Sequence, residues 1–497
     1  MMKGDNSYNQ IVKSTSLFGS LQVIQIIITI ISTKFIAILL GPFGVGINGL
    51  FNSTITLISS ITNLGLGNSA IKDVAAAYKS GDKNKVGTIV AVLRRLVWIT
   101  GIFGALIMII LSPMLSDWTF ENKNYTVPFI LISITLLLNQ IKVGQGVILS
   151  GTRQLKYMAK SSLIGSFFGL CFTVPLYFFF SVNGIVPAII ISSITSLVLT
   201  TYFSNKIKFE KVKIDSKTTL LIGKDMITMG LIFGISSMIM LGMAYLIRIY
   251  IGKTGGVNQV GLYSAGFAII TTYTNLIFRS MSTDFYPRLS GIAHDNLLTK
   301  KMINEQSEIS ILLIAPILII FIVFIQFVVI LFYSNKFIPI NTMIQWAAIG
   351  MFFKAGSMSV AYILMAKGAK RLFFWNELVV NIYMLLFNMA GYKYYGLTGL
   401  GISFLAGYLV YFIQIYVVAN RKFNFSFEYN YLKILVSQLV LVVVSFVLYN
   451  VIPTPFNYIF GVLIICISVF YSYIELSKRI DFMKIIGKFN LTKNKNE

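Results

Sequence analysis

Carboxylates are scarce in this chain: 17 Asp and Glu stand against 41 Lys and Arg in 497 residues, and charged residues of both signs make up only 12%. Water-soluble domains carry about twice that share, so a soluble fold of any class is excluded. Only two cysteines occur, Cys171 and Cys466, both inside apolar runs, where they read as small hydrophobes and not as a disulfide or a metal site. The single histidine, His294, lies in a polar connection and carries no signal. Without clustered carboxylates or a metal-ligand pattern, neither a metal nor a cofactor is expected, and a carrier is favoured over an enzyme.

Long apolar runs are what the chain does have. Hydrophobic residues make up 56% of it, and the mean hydropathy is +0.79. A hydrocarbon core of roughly 30 Å takes about 20 apolar residues per helix, and such stretches follow one another at 17–40, 47–70, 88–111, 125–148, 161–181, 184–204, 226–249, 261–283, 309–332, 342–366, 374–395, 397–419, 432–452 and 456–475. The pattern predicts an all-α integral membrane protein of about fourteen transmembrane helices. The first span is too long for a signal-peptide core and has no small-residue cleavage site, so it is expected to stay as the first transmembrane helix.

The net charge of +24 does not indicate nucleic acid, because the basic residues are split up by apolar spans and do not gather on one soluble face. They serve instead to orient the chain. With fourteen crossings, 32 of the 41 cations fall on the side of the termini, only Lys123, Lys253, Lys336 and Lys393 fall on the other, and five lie inside spans. By the positive-inside rule both termini are cytoplasmic. No outer connection exceeds about a dozen residues, which leaves no room for an outer catalytic domain. The lysine-rich stretch 205–225 divides the chain near its middle.

Segments recur at a nearly constant offset. Thr62-Asn63-Leu64 with Asp73 beyond it matches Thr274-Asn275-Leu276 with Asp284 beyond it, and Asn275 is 212 residues past Asn63. Lys142 followed by Ile148-Leu149 matches Lys354 followed by Ile363-Leu364, again 212 apart for the lysines. Lys34 and Arg248 hold similar places 214 apart. Two related lobes of six helices in parallel repeat follow, with two helices appended: an N-lobe at 1–225, a C-lobe at 226–425, and the last two spans with a tail at 426–497.

An ionisable side chain within a span costs about 3 kcal/mol or more unless it faces protein or water, so each such residue is a candidate site. Lys354 stands about twelve residues from either end of its span, roughly 18 Å, too far for its stem to lift the charge to an interface. Its face carries Ala347, Gly350, Ser357 and Ala361, leaving space for a ligand or for close helix packing. Lys142 shares a face with Thr135, Asn139, Gln145 and Gly146, and Arg279 with Thr272, Asn275, Ser282 and Thr283; a cavity wall is favoured for both over snorkelling. Lys34 points away from the polar stripe of Gln22, Gln25, Thr29 and Ser32, and two readings stand for it, lumenal or interfacial. Arg248, near the outer end of its span, is equally divided between anchoring and function. Glu377 is the one carboxylate within a span, near an inner end beside Lys370 and Arg371, where an interfacial role is favoured; ion coupling through Glu377, Asp73 or Asp284 stays open. Cations in a lumen favour phosphate or carboxylate ligands, whereas a carrier of cationic drugs would want buried Asp or Glu.

Three stretches carry a resemblance: Lys34-Phe35-Ile36-Ala37-Ile38-Leu39-Leu40-Gly41-Pro42-Phe43-Gly44-Val45-Gly46, the turn Leu149-Ser150-Gly151-Thr152-Arg153, and Phe285-Tyr286-Pro287-Arg288-Leu289-Ser290. In them, and over nearly its whole length, the sequence resembles the O-antigen translocases, the polysaccharide-transporter branch of the multidrug, oligosaccharidyl-lipid and polysaccharide (MOP) exporter superfamily. That resemblance implies a V-shaped pair of six-helix lobes in a bacterial inner membrane. It implies alternating-access flipping of an undecaprenyl-diphosphate-linked oligosaccharide, as in lipopolysaccharide assembly, from the cytoplasmic to the periplasmic leaflet. The positions matching the family's cavity cations are Lys34, Lys142, Arg248, Arg279 and Lys354. Membrane lipid and polysaccharide polymerase and ligase machinery are the implied partners, and the two appended helices match those that guide the lipid tail in peptidoglycan-precursor flippases. The rival expectations are a drug/cation antiporter and, behind it, a membrane glycosyltransferase or polymerase.

Overall fold

A computed structural model describes residues 4–210 and 212–479, with side chains from 24 onward except at 229, 232, 233, 236, 273, 275–277 and 279–283. Helices alone build it; no strand occurs among the described residues. Lipid offers no hydrogen-bond partners, so each spanning segment must satisfy its backbone internally, and a helix does so. In chain order the helices are α1 (Gly4–Thr62), α2 (Leu66–Lys79), α3 (Lys83–Phe120), α4 (Thr126–Ile132), α5 (Ile134–Gly151), α6 (Leu155–Phe180), α7 (Ile185–Ser204), α8 (Ser216–Gly255), α9 (Val257–Gly291), α10 (Asn296–Phe332), α11 (Asn341–Ala366), α12 (Lys370–Phe423), α13 (Tyr429–Val451) and α14 (Phe456–Ser477).

Nine segments among the described residues are long and apolar enough to cross a bilayer, and three of them, of 39, 50 and 54 residues, hold two crossings each. Each of these three is interrupted. Helix α1 breaks at Gly41, with φ +62° ahead of Pro42, and α12 breaks at Gly396, with φ +57°. Only glycine takes such a backbone without strain. Beyond the α12 break the chain doubles back until Gly399 meets the Gly391 carbonyl. Helices α6 and α7 are separated by a short 3-10 turn at Ser181–Gly184. With α8 and α9 the crossings among the described residues number fourteen, as the hydropathy pattern predicts.

The helices also run on past the apolar stretches. Residues 71–87, read as a cytoplasmic connection, are largely α2 and the first turn of α3, and most of 284–308 extends α9 and α10. Asp82 caps α3 by accepting hydrogen bonds from the backbone N–H groups of Asn84 and Lys85, at 2.9 and 3.1 Å.

The chain forms two compact units, one comprising residues 1–264 with 331–337, the other 265–330 with 338–497. In the first, Leu66, Ala70, Val74 and Ala77 of α2 pack with Val90, Leu93 and Val97 of α3, Ile148 of α5 and Met226 of α8. In the second, Phe285 and Leu289 of α9, Ile303 of α10, Val360 and Leu364 of α11 and Ile415 of α12 form a core of the same kind. Leu289 lies 212 residues past Ala77, and Val360 212 past Ile148, the offset at which segments recur in the sequence. Helix α10 is the centre of the second unit, with Ile311, Ile314, Ala315, Leu318, Ile319 and Ile322 at most 1% exposed.

Candidate functional site

In the first unit, both halves of α1 with α5, α6 and α7 line an open cavity of about 410 Å³. Thr29 and Ser32 from before the Gly41 break and Asn48 and Asn52 from after it line one wall; Asn139 of α5 and Ser193 of α7 line others. None of its lining residues is ionisable. Of the polar stripe read on span 1, Thr29 and Ser32 belong to this wall, Gln25 does not line it and the Gln22 side chain lies outside the described residues, while Asn48 and Asn52 were not singled out in the sequence. An i, i+4 pair of amides in an apolar run was the available signal, and Asn52 Nδ2 indeed donates to Asn48 Oδ1 at 2.8 Å.

Lys142 stands one turn from Asn139 on α5, half-buried, with no hydrogen bond or ion pair among the described residues. Gly146, a further turn along, faces open space. The rest of the face expected for Lys142 is occupied by packing: Gln145 Oε1 accepts from the Ser204 hydroxyl of α7 at 2.6 Å, and Thr135 is fully buried. Arg248 of α8 lies 5.7 Å from the ring centroid of Tyr263, donates through Nη1 to the Ala244 carbonyl at 2.8 Å, and leaves its buried Nε unsatisfied. Lys34 is half-buried in α1 and does not line the cavity. Asp73 sits on α2, its carboxyl pushed above the usual value by burial and by Asp225, with Lys72 opposing.

In the second unit, Lys354 Nζ lies 5.6 Å from the Phe278 ring centroid and 5.3 Å from that of Tyr408. Two aromatic faces so placed can hold a desolvated ammonium by cation–π attraction, at about 1–2 kcal/mol each. The small residues on its face serve close packing: Gly350 abuts Phe404 and the Leu405 backbone of α12. Nearby on α12, Glu377 acts electrostatically on Tyr383 and Tyr411, and Gln414 Nε2 donates to Asn376 Oδ1 at 2.8 Å. The Tyr383 hydroxyl is buried without a partner. These tyrosines gave no separate signal in the sequence, where aromatic residues are abundant. Arg279 is in α9, but its side chain lies outside the described residues. Asp284 is mostly exposed and pairs with Arg288 at 2.6 Å.

No group of three or more His, Cys, Asp or Glu suited to a metal occurs among the described residues. Chemically, the first unit offers Lys142 beside an uncharged hydrogen-bonding wall and the second offers Lys354 against two aromatic rings, groups suited to parts of an anionic, hydroxyl-rich molecule.

Solved structures share this architecture. The lipid II flippase MurJ in an inward closed conformation superposes with a TM-score of 0.68, at 11% identity, covering 93% of this chain and 99% of that one. A multidrug resistance MATE family transporter of the MOP superfamily in an inward-facing conformation gives 0.64 at 14% identity, covering 80% and 94%. Fold and charge placement therefore define the class as an all-helical, multi-pass membrane protein with the MOP transporter fold. More particularly, the chain belongs to the family described as polysaccharide biosynthesis protein, whose model matches residues 35–342. Among its relatives is the lipid III flippase of Escherichia coli (strain K12), 21% identical over 390 residues that span 76% of this chain and 91% of that protein.

Proposed function

We propose that the protein flips a polyprenyl-diphosphate-linked oligosaccharide from the cytoplasmic to the outer leaflet of a bacterial inner membrane, with both termini cytoplasmic. The observation that carries this is Lys354, an ammonium in the middle of its span, against two aromatic rings and with no carboxylate in salt-bridge range among the described residues. Membership of a polysaccharide biosynthesis family, and relatives named as flippases of lipid II and lipid III, supply the cargo class. In this reading Lys142, Arg279 and Lys354 are the cations that take the diphosphate, with Arg248 and Lys34 as further candidates, each acting through charge-assisted hydrogen bonds. The repeated lobes at 1–225 and 226–425 alternate access, and 426–497 attends to the lipid tail. Of the carboxylates, Glu377 among its tyrosines is better placed to bind a coupling ion than the paired, exposed Asp284. Polysaccharide polymerase and ligase machinery would receive the product.

Complementation of a translocase-deficient strain tests the proposal, with surface polysaccharide as readout. Wild type should restore display, whereas Lys354→Ala and the length-preserving Lys354→Met, both present at normal membrane levels, should reduce it about tenfold or more. Full display with both variants would remove Lys354 from the site.

A further inference from the structure

The cavity of the first unit is chemically distinct from the cationic groups that serve the diphosphate. Ten of its 18 lining residues carry a hydroxyl or a carboxamide, and none carries a charge. Several turn their polar groups back on their own helix: Thr29 donates to the Gln25 carbonyl at 2.9 Å, Ser166 to that of Ser162 at 2.9 Å, and Thr173 to that of Gly169. Others do not. The side chains of Ser32, Thr33, Asn139, Ser192 and Ser193 make no hydrogen bond to another described residue. Their polar atoms open onto the cavity, where an occupant able to match donors and acceptors together can pair with them.

The lining restricts what that occupant can be. Without a carboxylate there is nothing to neutralise a cation, and without Lys or Arg nothing to hold a phosphate. Amides and hydroxyls both donate and accept, the pairing that vicinal sugar hydroxyls require. Ile28, Ile36, Ile55 and Leu170 supply apolar surface for the C–H face of a pyranose. At about 410 Å³ the space lies within the roughly 300–1,000 Å³ range of small-molecule sites. Position adds to chemistry: Asn139 and Lys142 are three apart on α5, so their Cβ atoms lie roughly 5–6 Å from each other on one face. A diphosphate held at Lys142 therefore directs the sugar attached to it toward Asn139.

We propose that this cavity is the saccharide subsite, taking the uncharged hexosyl or N-acetylhexosaminyl unit next to the diphosphate, with Asn139, Ser192 and Ser193 setting which sugar is accepted. It rests on the flippase reading above. A site built to hydrogen-bond a particular hydroxyl rejects sugars lacking it, because its own groups are then left unpaired.

The test titrates the full chain in lipid nanodiscs with undecaprenyl diphosphate and with the same lipid bearing a single hexose, N-acetylhexosamine or 6-deoxyhexose. At least one sugar should tighten binding about tenfold over the bare diphosphate. Asn139→Leu and Ser193→Leu should abolish that gain while holding affinity for the bare lipid within about twofold, which also reports that the variants are folded. Should either variant bind no lipid, Ser192→Val, at an exposed position of the cavity, decides on the same criterion. A gain that survives the substitutions, or no gain from any sugar in the wild type, overturns the subsite and leaves the flippase reading standing. If wild type binds neither bare nor glycosylated lipid, the flippase reading fails, and the subsite with it.

Discussion

At Asp73, burial and the neighbouring Asp225 raise the carboxyl above its ordinary value of 3.8 against the pull of Lys72. The folded chain therefore keeps this proton to higher pH than the unfolded chain does. Asp73 costs nothing below the unfolded value, begins to subtract stability as pH rises past 3.8, and subtracts its full amount above the folded value. Asp73→Asn should raise the thermal midpoint of the purified protein at pH 7, and the gap to wild type should close below pH 4; a gap independent of pH would assign the effect to packing. Arg479 shows the opposite balance. Its Nε donates to Glu308 at 2.6 Å, and its Nη1 to the carboxylate and the carbonyl of Glu475, each at 2.6 Å, tying the end of α14 to α10. Glu308 has only 7% of its side chain exposed, so removing the guanidinium strands a carboxylate. Arg479→Ala should cost about 2–4 kcal/mol, and Glu308→Gln added to it should recover part of that loss, a non-additivity that a thermal-melt mutant cycle would detect.

Helix α12 carries the clearest case of one element built from two spans. At its Gly396 break the chain reverses so tightly that a Cβ on Gly399 would fall 1.8 Å from the Gly391 carbonyl oxygen, a backbone atom that no rotamer change can move. Gly399→Ala should open this hairpin and lower accumulation in the membrane several-fold, a loss on the scale of about 3 kcal/mol, while Gly368→Ala, where an added Cβ meets nothing, should cost only the strain of its φ of +68°. Wild-type levels of the Gly399→Ala protein would show that the hairpin relaxes freely. How legible the elements were followed from their solvent. The fourteen crossings could be counted because lipid demands about 20 apolar residues in a row. Helix α2 and the inner ends of α9 and α10 project into water, where polar sequence no longer separates helix from loop. Mid-span position alone marked Lys354 and Lys142 as candidates. What the small residues beside Lys354 did could not be read, because Gly350 against Phe404 closes space only once α12 is in place. The cavity was half visible: Thr29 and Ser32 share one helix face, whereas Asn139 and Ser193 join them only through tertiary packing.

For the molecule as a whole, the balance of charge bears on what drives it. Interior-negative potential favours outward movement of negative charge by roughly 2.3 kcal/mol per charge per 100 mV. A diphosphate with roughly two charges would thus gain about 4–5 kcal/mol at 100 mV. Pairing with lysines inside the carrier does not remove this drive. The cations stay with the protein, so a loaded carrier that is nearly neutral shifts the voltage dependence to the return of the empty, positively charged one, and the charge moved per cycle is unchanged. Proteoliposomes with a potassium-diffusion potential separate this from ion coupling. With the cytoplasmic face negative and no Na+ or H+ gradient, flipping of a glycosylated polyprenyl diphosphate should speed up several-fold over zero potential, and reversing the polarity should slow it. Rates indifferent to voltage that collapse without a Na+ or H+ gradient would instead assign the driving force to an ion bound at Glu377, and Glu377→Gln should then stop transport under every gradient.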